Sequence, residues 1–313
     1  MDNLRGALIM IATMFGFAIE DACIKIATQT LPLPQILVLL GAGGATIFAA
    51  ALLAQRRSLF EPEMLSLPIL LRAIGEIMAS IGMVSALAFT SLAATASILQ
   101  ATPIAVTLGA VLFLGETVGW RRWLAILAGF VGVMLVIRPG FESFDSMSLF
   151  ALMAVLGLAM RDIATRRVPA GTSSMQLSFL GFLASIPAGL ILQAFTGATI
   201  VRPSVFDWTI MGLTVAFGAI SYYGIVAAMR IGDVGFITPF RYARLPFAIA
   251  IGMTVFAERP DLMTFAGSAV IVGSGLYTVW RERKTGQRRT ASLPMQGPAR
   301  YDLNQGCEKG ASS

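Results

Sequence analysis

Two arginines three residues apart, Arg241 and Arg244, stand in the run PFRYARLPF, flanked by Pro239 and Pro246. Residues three apart share one face of a helix. Guanidinium forks on one face suit a carboxylate, a phosphate or an imide-like acceptor. Each proline leaves a carbonyl without its helical N–H donor, so this helix is expected to bend or break. Tyr242 between the arginines and Tyr222 upstream offer planar surfaces, and Gln100 offers a neutral hydrogen-bonding amide. These five residues, Arg241, Arg244, Tyr242, Gln100 and Tyr222, form the expected substrate-binding set. The competing reading is that either arginine snorkels to a helix end or pairs with Glu76.

The other ionisable residues in apolar surroundings group by spacing. Asp21 and Lys25 are four apart with the acid first, and Asp162 and Arg166 repeat the arrangement. That order favours an ion pair on one helical face, so both are read as structural pairs. Arg72 and Glu76 are four apart in the less favourable order, and structure and function are equally open for them. The chain has no histidine, so proton exchange would need a carboxylate such as Glu76. Glu20 and Arg161 have opposite charge and no partner at helical spacing, and they are expected to meet across the molecule. Glu76, Glu20, Arg161 and Arg72 are therefore the candidates for coupling or gating.

What must position these residues is a set of long apolar runs. Only 13% of the 313 residues are charged, 56% are hydrophobic, and mean hydropathy is +0.78, far from the balance of a soluble domain. Ten runs approach the twenty residues that a bilayer core requires: 4–27, 34–53, 67–89, 92–114, 120–137, 147–165, 175–195, 206–229, 234–256 and 262–280. Residues 281–313 are charged, rich in Gly, Pro and Ser, and read as a disordered tail. The charged start before the first run resembles a signal peptide, but no small-residue cleavage site follows it. The expectation is an all-α polytopic membrane protein with ten transmembrane helices.

The same arithmetic excludes functions. Without histidine there is no zinc hydrolase, Ser-His or Cys-His nucleophile, or haem ligand, and no metal or cofactor is expected. Cys23 and Cys307 make no disulfide framework. The net charge of +6 resides in loops and tail and so reports topology, not nucleic acid. With a cytoplasmic amino terminus, the inner loops hold Arg5, Arg56, Arg57, Arg121, Arg122, Arg166, Arg167 and Arg230, against Arg138, Arg202 and Arg259 outside. Both termini are expected to be cytoplasmic, in a bacterial inner membrane.

The chain also repeats itself. FGFAIEDACIK from Phe15 aligns with LGLAMRDIATR from Leu156, placing Gly16, Glu20, Asp21 and Lys25 on Gly157, Arg161, Asp162 and Arg166. ATPIAVTLGAVLFLGE, ending at Glu116, aligns with ARLPFAIAIGMTVFAE, ending at Glu258, with Pro103 opposite Pro246. The expected domains are a five-helix repeat at 4–137 and a second at 147–280, before the tail at 281–313. Five is odd, so the second half enters the membrane from the opposite side, a plan that places a transport site between the halves.

The Gly-aromatic first span ending in a basic residue, the proline-bearing fourth span finishing in Gly-Glu, and the Gly-rich fifth span WLAILAGFVGVMLVI resemble the EamA-type branch of the drug/metabolite transporter superfamily. The resemblance covers about residues 4–280 and implies secondary transport of a small organic metabolite by alternating access. Amino-acid-like and vitamin-like compounds such as riboflavin are within its range. Glu20-Asp21 departs from the neutral first helix of many members. The implied partners are a small-molecule substrate, the bilayer, and a coupling proton or counter-substrate, in a monomer or weak homodimer. An enzyme is not expected; the alternatives are an intramembrane enzyme or a channel or sensor, for which the residues supply neither a catalytic constellation nor a filter.

Overall fold

In the lipid core of a membrane, backbone N–H and C=O groups find no water, and a helix satisfies them within one segment. The apolar runs follow this rule. The computed structural model describes residues 2–61, 65–114, 119–137, 145–169, 171–231 and 237–291, with no strand among them. In chain order the helices are α1 (Asp2–Ala27), α2 (Leu33–Ala54), α3 (Leu67–Phe89), α4 (Leu92–Leu99), α5 (Thr102–Leu114), α6 (Trp120–Ile137), α7 (Ser148–Thr165), α8 (Ser174–Thr196), α9 (Val205–Ile231), a 3-10 segment (Thr238–Ala243), α10 (Arg244–Val255) and α11 (Leu262–Ala291). Seven segments among the described residues are long and apolar enough to cross a bilayer, counting α4 and α5 together, and shorter apolar helices occur at Trp123–Ile137 and Leu262–Tyr277.

Burial is distributed as a lipid environment demands. Leu70, Leu71, Ile74, Leu112, Phe113, Leu127 and Phe130 present large apolar side chains outward, whereas Asp21, Arg72, Ser97 and Gln100 are buried. An apolar belt around a polar interior is costly in water and favourable in hydrocarbon.

Four helix pairs make the body of the molecule: α3 with α7, α2 with α8, α1 with α9, and α6 with α11. At the α3–α7 crossing, Gly75 and Gly157 face one another. A methyl group at Gly157 would stand 2.5 Å from the Ala79 nitrogen and 2.6 Å from the Gly75 carbonyl. Only glycine permits backbones this close, as in small-residue packing between membrane helices.

Two helices break at proline. Between α4 and α5, Pro103 cannot donate to the Leu99 carbonyl, and the Thr102 hydroxyl donates to it instead at 2.7 Å. The expected ninth span is likewise divided into the 3-10 segment and α10, with Pro246 in the first turn of α10. The two-residue join at Thr90-Ser91 forms as expected, with the Ser91 hydroxyl accepting from the Ala94 N–H at 3.0 Å.

The last helix differs from expectation. It continues to Ala291, eleven residues into the segment read as tail, because Arg, Glu, Lys and Gln are good helix formers once an apolar helix leads into them. Residues 292–313, Glu116 of the repeat motif and 232–236, where the ninth span was expected to begin, lie outside the described residues.

Candidate functional site

The charges predicted to lie inside spans are buried between helices, and most find partners on other helices. Asp21 of α1 is only 2% exposed and is gripped by Arg244 at the start of α10. Arg244 Nε donates to Oδ2 at 2.9 Å, and Nη2 donates to Oδ1 and Oδ2 at 2.7 Å each. The Phe17 ring lies 5.1 Å from the guanidinium carbon, so the cation has an anion on one side and a π face on another. Arg244, expected in the substrate set, is thereby spent within the protein. Asp21, expected to pair with Lys25, is not available to it.

Lys25 instead joins helix ends. Its Nζ donates to the Thr90 carbonyl at 2.5 Å and to the Leu87 carbonyl at 3.3 Å, and stands 3.3 Å from Glu258 Oε1. Glu258 in turn accepts from the first N–H groups of α4, Leu92 at 2.8 Å and Ala93 at 3.3 Å. An anion at a helix amino terminus and a cation at a carboxy terminus are each favoured by the backbone dipoles. One ion pair thus holds the end of α1, the end of α3, the start of α4 and the segment after α10. The glutamate reaches this position through a backward turn: Ala257 adopts φ +51°, and the Glu258 N–H returns to the Gly252 carbonyl at 3.0 Å.

The second charged cluster lies among α3, α7, α8 and α9. Arg161 Nη2 stands 2.8 Å from Asp162 Oδ1, and its Nη1 stands 3.6 Å from Glu76 Oε1. Asp162, expected to hold Arg166, is taken by its neighbour Arg161, and Glu20 and Arg161 do not meet. The reason is positional: Glu76 on the adjoining helix reaches Arg161 first. Arg72 Nη2 donates to the Tyr222 hydroxyl at 3.1 Å and lies 4.0 Å from Glu76 Oε2, the long and weak version of the i, i+4 pair. Arg72 Nε and Glu76 Oε2 are buried without a hydrogen-bond partner. Gly181 of α8 faces the same two side chains, leaving them room.

Three expected substrate residues are engaged elsewhere. Gln100 donates its amide to the Tyr242 carbonyl at 3.1 Å, the carbonyl that Pro246 cannot serve. Tyr242 is buried with its hydroxyl against Gly275 of α11, where a methyl group would overlap it, and that hydroxyl has no partner. Tyr222 belongs to the Arg72 cluster. Arg241 is half-buried in the 3-10 segment, and no hydrogen bond or ion pair joins its side chain to a described residue. Glu20 is in the same condition, half-buried on α1 beside Gly218 of α9. Arg166 is exposed at the end of α7.

Sequence reasoning did not assign a role to Glu258, which it used only to mark the repeat. The signal was present: Lys25 and Glu258 both end apolar runs assigned to the same face of the membrane. Two clefts lie away from these clusters. One of about 260 Å³ includes Phe48, Arg57, Ser173 and Tyr223, and one of about 330 Å³ lies between α6 and α11.

The model of the EamA-like transporter family matches residues 4–138. A riboflavin transporter of Brucella anthropi is 32% identical over 198 residues, covering 61% of this chain and 67% of its own length. The chain belongs to the EamA-like transporter family. This family lies within the drug/metabolite transporter superfamily. Another relative, an S-adenosylmethionine uptake transporter of Rickettsia felis, is 25% identical over 190 residues, 61% of this chain and 64% of that protein. The matched region thus spans slightly less than two thirds of that relative. A pseudopaline exporter of Pseudomonas aeruginosa is 24% identical over 280 residues, 87% of this chain and 95% of its own length. A solved crystal structure shares the fold, with a TM-score of 0.59 over 90% of this chain and 98% of the other, at 18% identity. By their names these relatives differ in cargo and in direction.

Proposed function

We propose that this protein is a secondary transporter that moves a small organic metabolite, amino-acid-like or vitamin-like, across the bacterial inner membrane by alternating access. One observation carries the reading: ionisable side chains from α1, α3, α7 and α10 are buried in an apolar body and paired between helices. Buried charges in a membrane protein are expensive and mark transport paths by default. The names of the relatives support cargo of this size, S-adenosylmethionine and riboflavin among them.

The architecture proposed is ten spans in two inverted five-helix repeats, 4–137 and 147–280, with both termini cytoplasmic. Its support is the symmetry of the packing. Under the repeat, α1 corresponds to α7 and α3 to α9, so the α1–α9 and α3–α7 crossings are equivalents of each other, while α2–α8 and α6–α11 each map onto themselves. In the working cycle, Glu76, Arg161 and Arg72 exchange partners as the halves rock, with a proton or counter-substrate as the coupling species. Arg241 and Glu20 face the cargo, Tyr222 belongs with Arg72, and Arg244, Tyr242 and Gln100 hold the broken helix that presents Arg241. The unit is a monomer or weak homodimer.

Reconstituted vesicles test this. Saturable uptake of labelled S-adenosylmethionine or riboflavin, accelerated by unlabelled cargo on the opposite side, is expected. Flux that neither saturates nor responds to cargo on the far side would reject a carrier in favour of a channel.

A further inference from the structure

The two equivalent crossings differ at one pair of positions. In α3–α7, Arg161 meets a carboxylate of the opposing helix, Glu76, at 3.6 Å. In α1–α9 the residue equivalent to Arg161 is Glu20, 141 positions earlier, and Gly218, 142 positions after Glu76, lies opposite it. The neighbouring contacts keep the same offsets: Gly82 of α3 lies against Ala154 of α7, and Gly224 of α9 lies against Thr13 of α1. The Glu20 carboxylate lies directly over Gly218, with Oε1 only 2.6 Å from where a β-carbon would be. A charge that is matched by a side chain in one crossing therefore faces bare backbone in the other.

The charges around Glu20 do not make good the difference. Asp21 beside it is an anion already bound in bidentate fashion by Arg244, and Arg244 has Phe17 against its other face. Cys23 is uncharged and buried. On α9, Phe217, Gly218, Ser221, Gly224 and Ala228 approach α1 and carry no charge. A carboxylate in this setting, short of a counter-ion, favours a cation that arrives from outside the chain.

We infer that Glu20, with the space kept open by Gly218, receives a positively charged group of the cargo, an ammonium, sulfonium or guanidinium, in the place that Glu76 and Arg161 fill internally at the other crossing. This inference rests on the transport reading above and narrows its substrate class to compounds bearing a cation. Arg241, the other half-buried charge without a described partner, suits a carboxylate on the same molecule, so the class is a zwitterion.

The test measures binding to the purified full chain in nanodiscs, using S-adenosylmethionine as a sulfonium-bearing probe and riboflavin as an uncharged one. Wild type is expected to bind the sulfonium probe. Glu20→Gln is expected to weaken it at least tenfold, Glu20→Asp by less, and Gly218→Ala, which puts a methyl group against the carboxylate, by a similar order. Thermal unfolding of each variant reports whether it is folded, and Glu20→Asp serves if Glu20→Gln is not. Equal affinity of wild type and Glu20→Gln for the sulfonium probe overturns the inference and leaves transport standing. So does binding of riboflavin alone, or a Glu20→Gln variant that binds normally but has lost its response to a proton gradient. Binding of neither probe, with no saturable flux, removes the transport reading and this inference with it.

Discussion

Arg244 and Asp21, 223 residues apart in the chain, form a forked ion pair with nitrogen to oxygen distances of 2.7–2.9 Å. The pair fastens α10, the helix that follows the proline-broken segment, to α1. Removing one partner leaves the other charge buried and uncompensated, which costs about 3–5 kcal/mol. Asp21→Asn and Arg244→Ala are each expected to lower the unfolding temperature in detergent, and the exchanged variant Asp21→Arg with Arg244→Asp is expected to regain part of the loss. Independent, additive losses in a double-mutant cycle would contradict the pairing.

Lys25 and Glu258 are expected to control one end of the molecule. Glu258→Ala removes both the ion pair and the acceptor for two N–H groups of α4, so its effect should exceed that of Lys25→Met. The loss of an N-cap acceptor alone is worth about 0.5–2 kcal/mol. A cysteine placed at Ser91 should become more reactive toward a water-soluble maleimide in Glu258→Ala, and unchanged reactivity would count against a closing role.

At the α3–α7 crossing, Gly157→Ala is expected to force the helices apart. Inserting a group into packing this close costs about 1–3 kcal/mol. Gly273 of α11, whose added methyl would meet nothing within 4 Å, is the matched control and should tolerate alanine without loss of thermal stability.

Gln100→Leu keeps much of the volume of the side chain and removes its amide. The Tyr242 carbonyl then keeps only the backbone N–H of Arg244, and the loss of one hydrogen bond costs about 0.5–1.5 kcal/mol. Glu and Asn at position 100 separate the cases: Asn retains a donor on a shorter arm and should recover some stability, whereas Glu presents an acceptor to an acceptor and should not.

The extent of the helices could be read from the sequence because it depends on apolar length, a local property. The runs 67–89, 120–137 and 147–165 reappear as α3, α6 and α7 almost residue for residue. The break at Pro246 was legible for the same reason, since a missing N–H is a property of the residue itself. Ion-pair partners were not. Asp21 and Lys25 are well spaced for each other within a helix, and a one-dimensional reading pairs them; the fold offers Asp21 a forked guanidinium and Lys25 three oxygens at helix ends. Gly218 carried no chemical signal of its own, and only its place opposite Glu20 gives it one.

The two proline breaks are completed in different ways. At Pro103 the free carbonyl of Leu99 is served by its own neighbour Thr102, whereas at Pro246 the carbonyl of Tyr242 borrows its donor from Gln100, 142 residues away. The dependence runs in one direction only. Residues 4–137, produced alone, would keep their own break intact. Residues 147–280, produced alone, would lack the donor that completes theirs, and joining two copies of that segment would not supply it, since with Pro246 opposite Pro103 the place of Gln100 is taken by Ala243. Under the proposed repeat the two parts are therefore unlike, and the second is expected to need the first to complete its broken helix.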